Sequence, residues 1–302
     1  METNCRLCLI CLVVAAMLGS LAACGSGTPS ESGATATAQP TATTAPTPTP
    51  RPTPPPTPGT IDPAVQGLDM VQALAAAGGD AATLLLDGKP EEVAYLGVVV
   101  PAGGEAGSPG AAAAAANAEF LSGHWVFLEG DGDRDDSGRR RFYVWLADGR
   151  LVNEELIRAG VARLEDNGLD VAHRERLLAA QATAVADKAS LIEISSIRLD
   201  GTGKAQPDEY IEFTNPGESG LDMSGWRIEA GHVEQFFVFP TGFVLTPGQA
   251  CRLYTNQVLD DSCGGCTFGH NKPILNNDGD CGQVYDTLGL LIVERCVERG
   301  EN

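Results

Sequence analysis

The run DDSGRRRFYVWLADGRLVNEELIRAGVARL, residues 135–164, leaves few options for local structure. Asp135-Asp136-Ser137-Gly138 is a polar turn, Phe142, Val144 and Leu146 alternate as one face of a short strand, and Asp148-Gly149 is a second turn. A helix follows. Asn153 is its candidate cap, Glu154 and Glu155 stand in the first turn where the helix dipole favours acids, and Leu156-Ile157 open the apolar face.

This order of turn, strand, turn and helix, with Gly138-Arg139, Tyr143-Val144, Asp148-Gly149 and Val152-Asn153-Glu154 at matching spacing, resembles the thermonuclease-like (staphylococcal nuclease) domain. The resemblance spans roughly residues 68–190 and implies an α+β domain, a five-stranded OB-fold barrel with helices. It implies for Arg139 the stabilisation of charge on a phosphate during hydrolysis, a role that guanidinium geometry suits.

The rest of the family's site is then read residue by residue. Its Asp-Gly-Asp-Thr-like turn is here Gly78-Gly79-Asp80-Ala81, which keeps one acid. Its strand ending Arg-Leu-x-Gly-Ile-Asp-x-Pro-Glu aligns on Gly97 and Pro101, placing Ala94 at the phosphate-binding Arg, Val99 at the metal-ligand Asp and Ala102 at the general-base Glu. Calcium needs several oxygen ligands, and an alanine cannot activate water. The expectation is a pseudoenzyme with no catalytic residue, metal or cofactor, in which Asp80 and Arg139 are remnants. Residues 131–138, with acids at alternating positions, look like a calcium loop. Asp136 stands where such a loop needs glycine and Phe142 where it needs glutamate, so an acidic hairpin turn is expected. His124, alone before the strand at Trp125, is assigned no role.

Charge narrows the partners. The 302 residues carry 20 basic and 40 acidic side chains, a formal net charge of −20. Residues 61–190 hold 21 acids against 11 bases, and residues 191–302 hold 17 against 7. Nonspecific nucleic-acid binding depends on Lys and Arg neutralising phosphates, and this balance disfavours it. A local basic patch at Arg139-Arg140-Arg141 stays open.

The N-terminus reads as an address. Residues 7–23 are nearly all apolar after Arg6 and run into Leu21-Ala22-Ala23-Cys24. A short apolar region ending in small residues is a secretory signal. The Leu-Ala-Ala-Cys ending resembles a bacterial lipobox, which implies that Cys24 is acylated, that residues 1–24 are a lipoprotein signal and that the chain is held on the outer side of a cell membrane. An uncleaved anchor or a plain signal are the alternatives. Residues 25–60 are Ser, Thr, Ala, Gly and Pro, too poor in apolar side chains for a core, and would act as a disordered linker reaching up to roughly 100 Å where extended.

The remaining chain divides into 61–189 and 190–302. In the second part, short strands around residues 191–194, 209–213, 226–228, 236–239, 252–254 and 290–293 are bounded by Gly, Pro, Asn or Asp, the pattern of an all-β sandwich. The motifs EYIEFTN (209–215), LDMSGW (221–226), FP with LTPG (239–248) and NNDGD (276–280) resemble the lamin-tail domain, which implies an immunoglobulin-like sandwich and a binding or positioning role. Trp226 is expected in its core and Asn215 in a polar turn.

Five cysteines fall in this last part: Cys251, Cys263, Cys266, Cys281 and Cys296. Cys263, Cys266 and Cys281 with His270 offer a Cys₃His zinc set, but outside the cytoplasm disulfides are preferred, with one thiol left over for another partner. The functional expectation is a membrane-anchored lipoprotein that serves as a non-catalytic binding or scaffolding module for an envelope protein, glycan or nucleic acid. The alternatives are a secreted calcium-dependent nuclease and a structural spacer.

Overall fold

The computed structural model describes residues 61–121, 123–130, 132–165, 172–257 and 262–300. Cys24, the signal-like segment, the Pro/Thr-rich linker and Asp131 lie outside the described residues.

The first domain is built from β1 (Asp69–Ala76), β2 (Ala81–Leu86), β3 (Lys89–Tyr95), β4 (Val98–Val99), α1 (Pro109–Leu121), β5 (Trp125–Glu129), β6 (Arg140–Leu146), α2 (Val152–Arg158), β7 (Arg163–Leu164) and α3 (Arg174–Ala189). β1, β2, β3, β6 and β5 close into a barrel in that order, with β5 returning to β1. The β3–β6 pair is parallel and the other pairs are antiparallel, the OB-type closure that the resemblance implies. β2 and β3 join through Asp87-Gly88, both at positive φ (52° and 73°), a two-residue turn whose twist matches the strands.

The helices are held by close approach and buried amides. α1 lies against the β1–β2 turn at Gly79, where a Cβ would come within 2.5 Å of Ala113 Cβ. Asn117, wholly buried, donates from Nδ2 to Gly78 O (2.7 Å) and Ala81 O (2.8 Å) and accepts from Tyr95 Oη (2.7 Å). In α2 the expected cap is corrected: the cap position is Leu151, and Asn153 is a buried second residue of the helix. Its Oδ1 accepts from Val144 N (2.9 Å) and its Nδ2 donates to Leu96 O (2.9 Å), so it ties the helix to the barrel wall.

The second domain contains β8 (Glu193–Arg198), β9 (Tyr210–Thr214), β10 (Leu221–Asp222), β11 (Arg227–Ala230), β12 (His232–Val238), β13 (Val244–Leu245), β14 (Ala250–Tyr254), β15 (Gly279–Tyr285) and β16 (Leu291–Glu298). A four-stranded sheet, β12-β11-β15-β16, faces a three-stranded one, β14-β9-β8, and β10 pairs with β13. This is the immunoglobulin-like sandwich of a lamin-tail domain. Its core holds Trp226, as expected, with Phe213 and Phe237 edge-on to Phe239 at 5.4 and 5.2 Å. Asn215, expected in a polar turn, stands at one and is also fully buried; Nδ2 donates to Ser219 O and Leu245 O, and Oδ1 accepts from Gly217 N.

α3 belongs to both cores. Leu177 and Ala180 are buried in the barrel cluster, while Val185 and Ala189 near its C-terminus pack against the sandwich cluster. Lys188 extends this joint: its Nζ donates to Gly160 O (2.9 Å) behind α2 and to Asp286 Oδ2 (2.6 Å) in the β15–β16 turn. Leu178 on the same helix, next to the buried Leu177, is 40% exposed.

Candidate functional site

The barrel bears a cleft of about 470 Å³ at the place the nuclease resemblance points to. Asp80 reaches it from the β1–β2 turn and is fixed by Tyr95 N donating to its carbonyl (2.8 Å). Ala94 lies on β3, opposite Ala81 on one side and Arg141 on the other. Val99 lies on β4, opposite Arg163, and Arg139 directly precedes β6. All four line the cleft, so alignment on Gly97 and Pro101 brings the expected positions to one place. Ala102 does not line it.

Chemically the cleft is closed on itself. Arg139 Nε donates to Asp135 Oδ2 (2.8 Å) and Nη1 to Glu92 Oε1 (3.2 Å). Burial opposes its charge, but these bonds outweigh it and hold the guanidinium above its ordinary pKa. For Asp135, burial alone would raise the pKa; donation from Arg139 N and Nε and from Ser137 N carries it below the ordinary value instead. Asp135 thus serves its own hairpin turn and Arg139. Arg141 in the same cleft pairs with Glu165, and Arg140, on the opposite face of the strand, pairs bidentately with Glu91 (2.8 and 2.8 Å). The basic triplet therefore forms no basic patch.

The family's calcium does not fit this donor set. Where two carboxylates should converge there are Asp80 and the hydrocarbon of Val99; of the other acids of the cleft, Asp135 and Glu165 are held by arginines and Asp136 stands exposed on the hairpin turn. No water-activating group stands at the position the alignment gives to Ala102.

In the sandwich, Cys251 bonds Cys263 and Cys281 bonds Cys296. Two of the three thiols of the zinc alternative are consumed in different disulfides, so that site is not assembled; Cys266 lies beside Cys263, 3.5 Å from its carbonyl oxygen.

The pairing of Arg141 with Glu165 in the cleft was not foreseen. The period of two along β6 was its signal, since it puts 139 and 141 on one face and 140 on the other.

The comparisons agree with both domains. Residues 96–193 match the family model described as Staphylococcal nuclease homologue, and residues 186–297 match the Lamin Tail Domain. The two matches overlap in the last turn of α3 and the start of β8, where the helix is shared by the two cores. No curated protein matches the chain at a significant level.

Proposed function

We propose that this protein is a membrane-anchored, extracytoplasmic lipoprotein in which a catalytically degenerate nuclease-like barrel and a lamin-tail sandwich act as a binding or scaffolding module. The observation that carries the non-catalytic reading is the barrel cleft, where Asp80 meets Ala94 and Val99 and Arg139 is neutralised by Asp135 and Glu92. A phosphodiester would find no calcium ligand set there and could meet Arg139 only in competition with Asp135 and Glu92. Anchoring is supported by the apolar stretch that ends in Leu21-Ala22-Ala23-Cys24. Among the described residues no helix is long and apolar enough to cross a membrane.

The test incubates the full-length chain in detergent with single- and double-stranded DNA and RNA, with calcium and then with EDTA, beside Arg139→Ala. No calcium-dependent cleavage above the variant is expected. Cleavage that disappears in the variant would overturn the proposal and make the chain a calcium-dependent nuclease with rearranged ligands. Metabolic labelling with radioactive palmitate, expected in the natural chain and absent in Cys24→Ser, tests the anchor separately.

A further inference from the structure

A second pocket, of about 490 Å³, lies where the barrel meets the sandwich. One wall is α3, whose Arg174, Leu178 and Gln181 share a face at i, i+4 and i+7. The opposite wall is the β15–β16 turn of the sandwich, with Leu288 and Leu290, and β7 closes it with Arg163.

Its charge is the reverse of the barrel cleft. There, Arg139 and Arg141 each face a carboxylate. Here, Arg174 is half-buried and has no hydrogen bond or ion pair among the described residues, and Arg163 reaches only the carbonyl of Leu164 (3.1 Å). Among the described residues no acid lines the pocket. Two guanidiniums without a carboxylate partner among the described residues, around one pocket, offer a ready counter-charge to an entering anion. Gln181 Oε1 accepts from Leu164 N (2.9 Å), which leaves its amide N–H groups as further donors. The remaining lining is aliphatic, and it explains why Leu178 stays 40% exposed on α3.

The pocket is also preformed. Asp286, at the base of the turn, accepts Leu288 N (2.9 Å) and Leu290 N (3.0 Å) on Oδ1 and Lys188 Nζ (2.6 Å) on Oδ2. The leucine wall is thereby fixed to α3, so a ligand need not order it.

We propose that this interdomain pocket binds a small organic carboxylate with an apolar body, the carboxylate held by Arg163 and Arg174 and the body lying among the leucines. The volume is that of a small-molecule site. The site is independent of the barrel cleft and would stand even if that cleft cleaved nucleic acid.

Calorimetric titration of the full-length chain, with a detergent-only blank, tests it using 4-phenylbutyrate, 4-phenylbutanol and acetate. Phenylbutyrate should bind saturably with a Kd below about 1 mM, as a ligand of a dozen heavy atoms can. The alcohol, which lacks the charge, and acetate, which lacks the body, should each bind at least tenfold more weakly. The double variant Arg163→Gln/Arg174→Gln should lose tenfold or more, and Leu178→Glu, which sets an acid on an exposed position of the wall, should do the same. Circular dichroism and melting curves matching the natural chain exclude misfolding as the cause. Absence of saturable binding, an unchanged Kd in both variants, or an alcohol that binds as tightly as the acid overturns the proposal.

Discussion

Glu209 has no solvent exposure, yet only one of its carboxylate oxygens is satisfied: Oε2 accepts from Thr255 Oγ1 (2.9 Å) and Ile274 N (3.2 Å), and Oε1 has no partner. Burial pushes its pKa above the ordinary 4.5, against the pull of those hydrogen bonds. The folded chain therefore holds this proton more tightly than the unfolded one. Its contribution to stability is most favourable below pH 4.5 and is lost as pH rises through the raised native value. Glu209→Gln keeps an acceptor for Ile274 N and removes the titration. Urea denaturation of both chains from pH 4.5 to neutrality should show the variant gaining on the natural chain as pH rises; a constant difference would refute the assignment. Asn117 is another buried polar residue whose bonds can be tested. Asn117→Ala strands two carbonyls and the phenol of Tyr95, whose pKa burial holds high so that it remains a donor, and should cost about 3 kcal/mol in denaturation. At this scale the sequence spoke clearly where a register could be set: Gly97 and Pro101 assign Ala94 and Val99 to the same place as Asp80 and Arg139, and all four line the cleft. It was silent where a polar side chain turns inward: Asn153 and Asn215 look like cap and turn residues, because Asn serves those roles and buried amide bonding equally well.

At the scale of elements, strands with clean apolar alternation were legible, and those that carry glycine were not. β15, GDCGQVY, reads as loop because of Gly279, Asp280 and Gly282. Gly282 is nonetheless a core position: a Cβ there would meet the Cδ1 atoms of Ile211, Ile194 and Ile197 at 3.2–3.3 Å, so the residue gives its space to the facing sheet. The same strand bears a cross-strand staple. Cys281 and Cys296 are opposite each other in the β15–β16 ladder and form a disulfide spanning 15 positions. Closing a loop of that length is worth about 3 kcal/mol, and the existing hairpin reduces the gain, so Cys281→Ser/Cys296→Ser should lower stability by about 2 kcal/mol. Thermal denaturation of the oxidised chain against the variant measures it; adding a reductant to the variant should then act through the disulfides that remain, Cys251–Cys263 among them. The pairing itself was not legible, because spacing alone does not choose among five cysteines.

For the whole molecule, the joint between the domains lies beyond what local sequence signals reach. Lys188 and Asp286 are 98 positions apart, and nothing in either neighbourhood marks them as partners. Their geometry makes them the centre of the joint. The Asp286 side chain is fully buried, Lys188 is mostly buried, and the pair connects the end of α2, the end of α3 and the sandwich turn. Removing one member leaves the other without its counter-charge. Lys188→Met keeps the aliphatic stem but strands the carboxylate, which retains only its two backbone donors, and should cost about 2–4 kcal/mol. Asp286→Asn on the same background restores a neutral group that still accepts Leu288 N and Leu290 N, and should recover more than half of that loss. A double-mutant cycle by chemical denaturation isolates the coupling, since the two side chains are in direct contact. Affinity separates a latch from a mere stabilising bond. If the pair holds the leucine wall in place, Lys188→Met weakens 4-phenylbutyrate at the interdomain pocket although Lys188 does not line it, and the Asn partner change restores binding together with stability. Stability that falls while affinity stays constant would mean that the turn keeps its position without the lysine, and that α3 alone, through Val185 and Ala189, fixes the sandwich to the barrel.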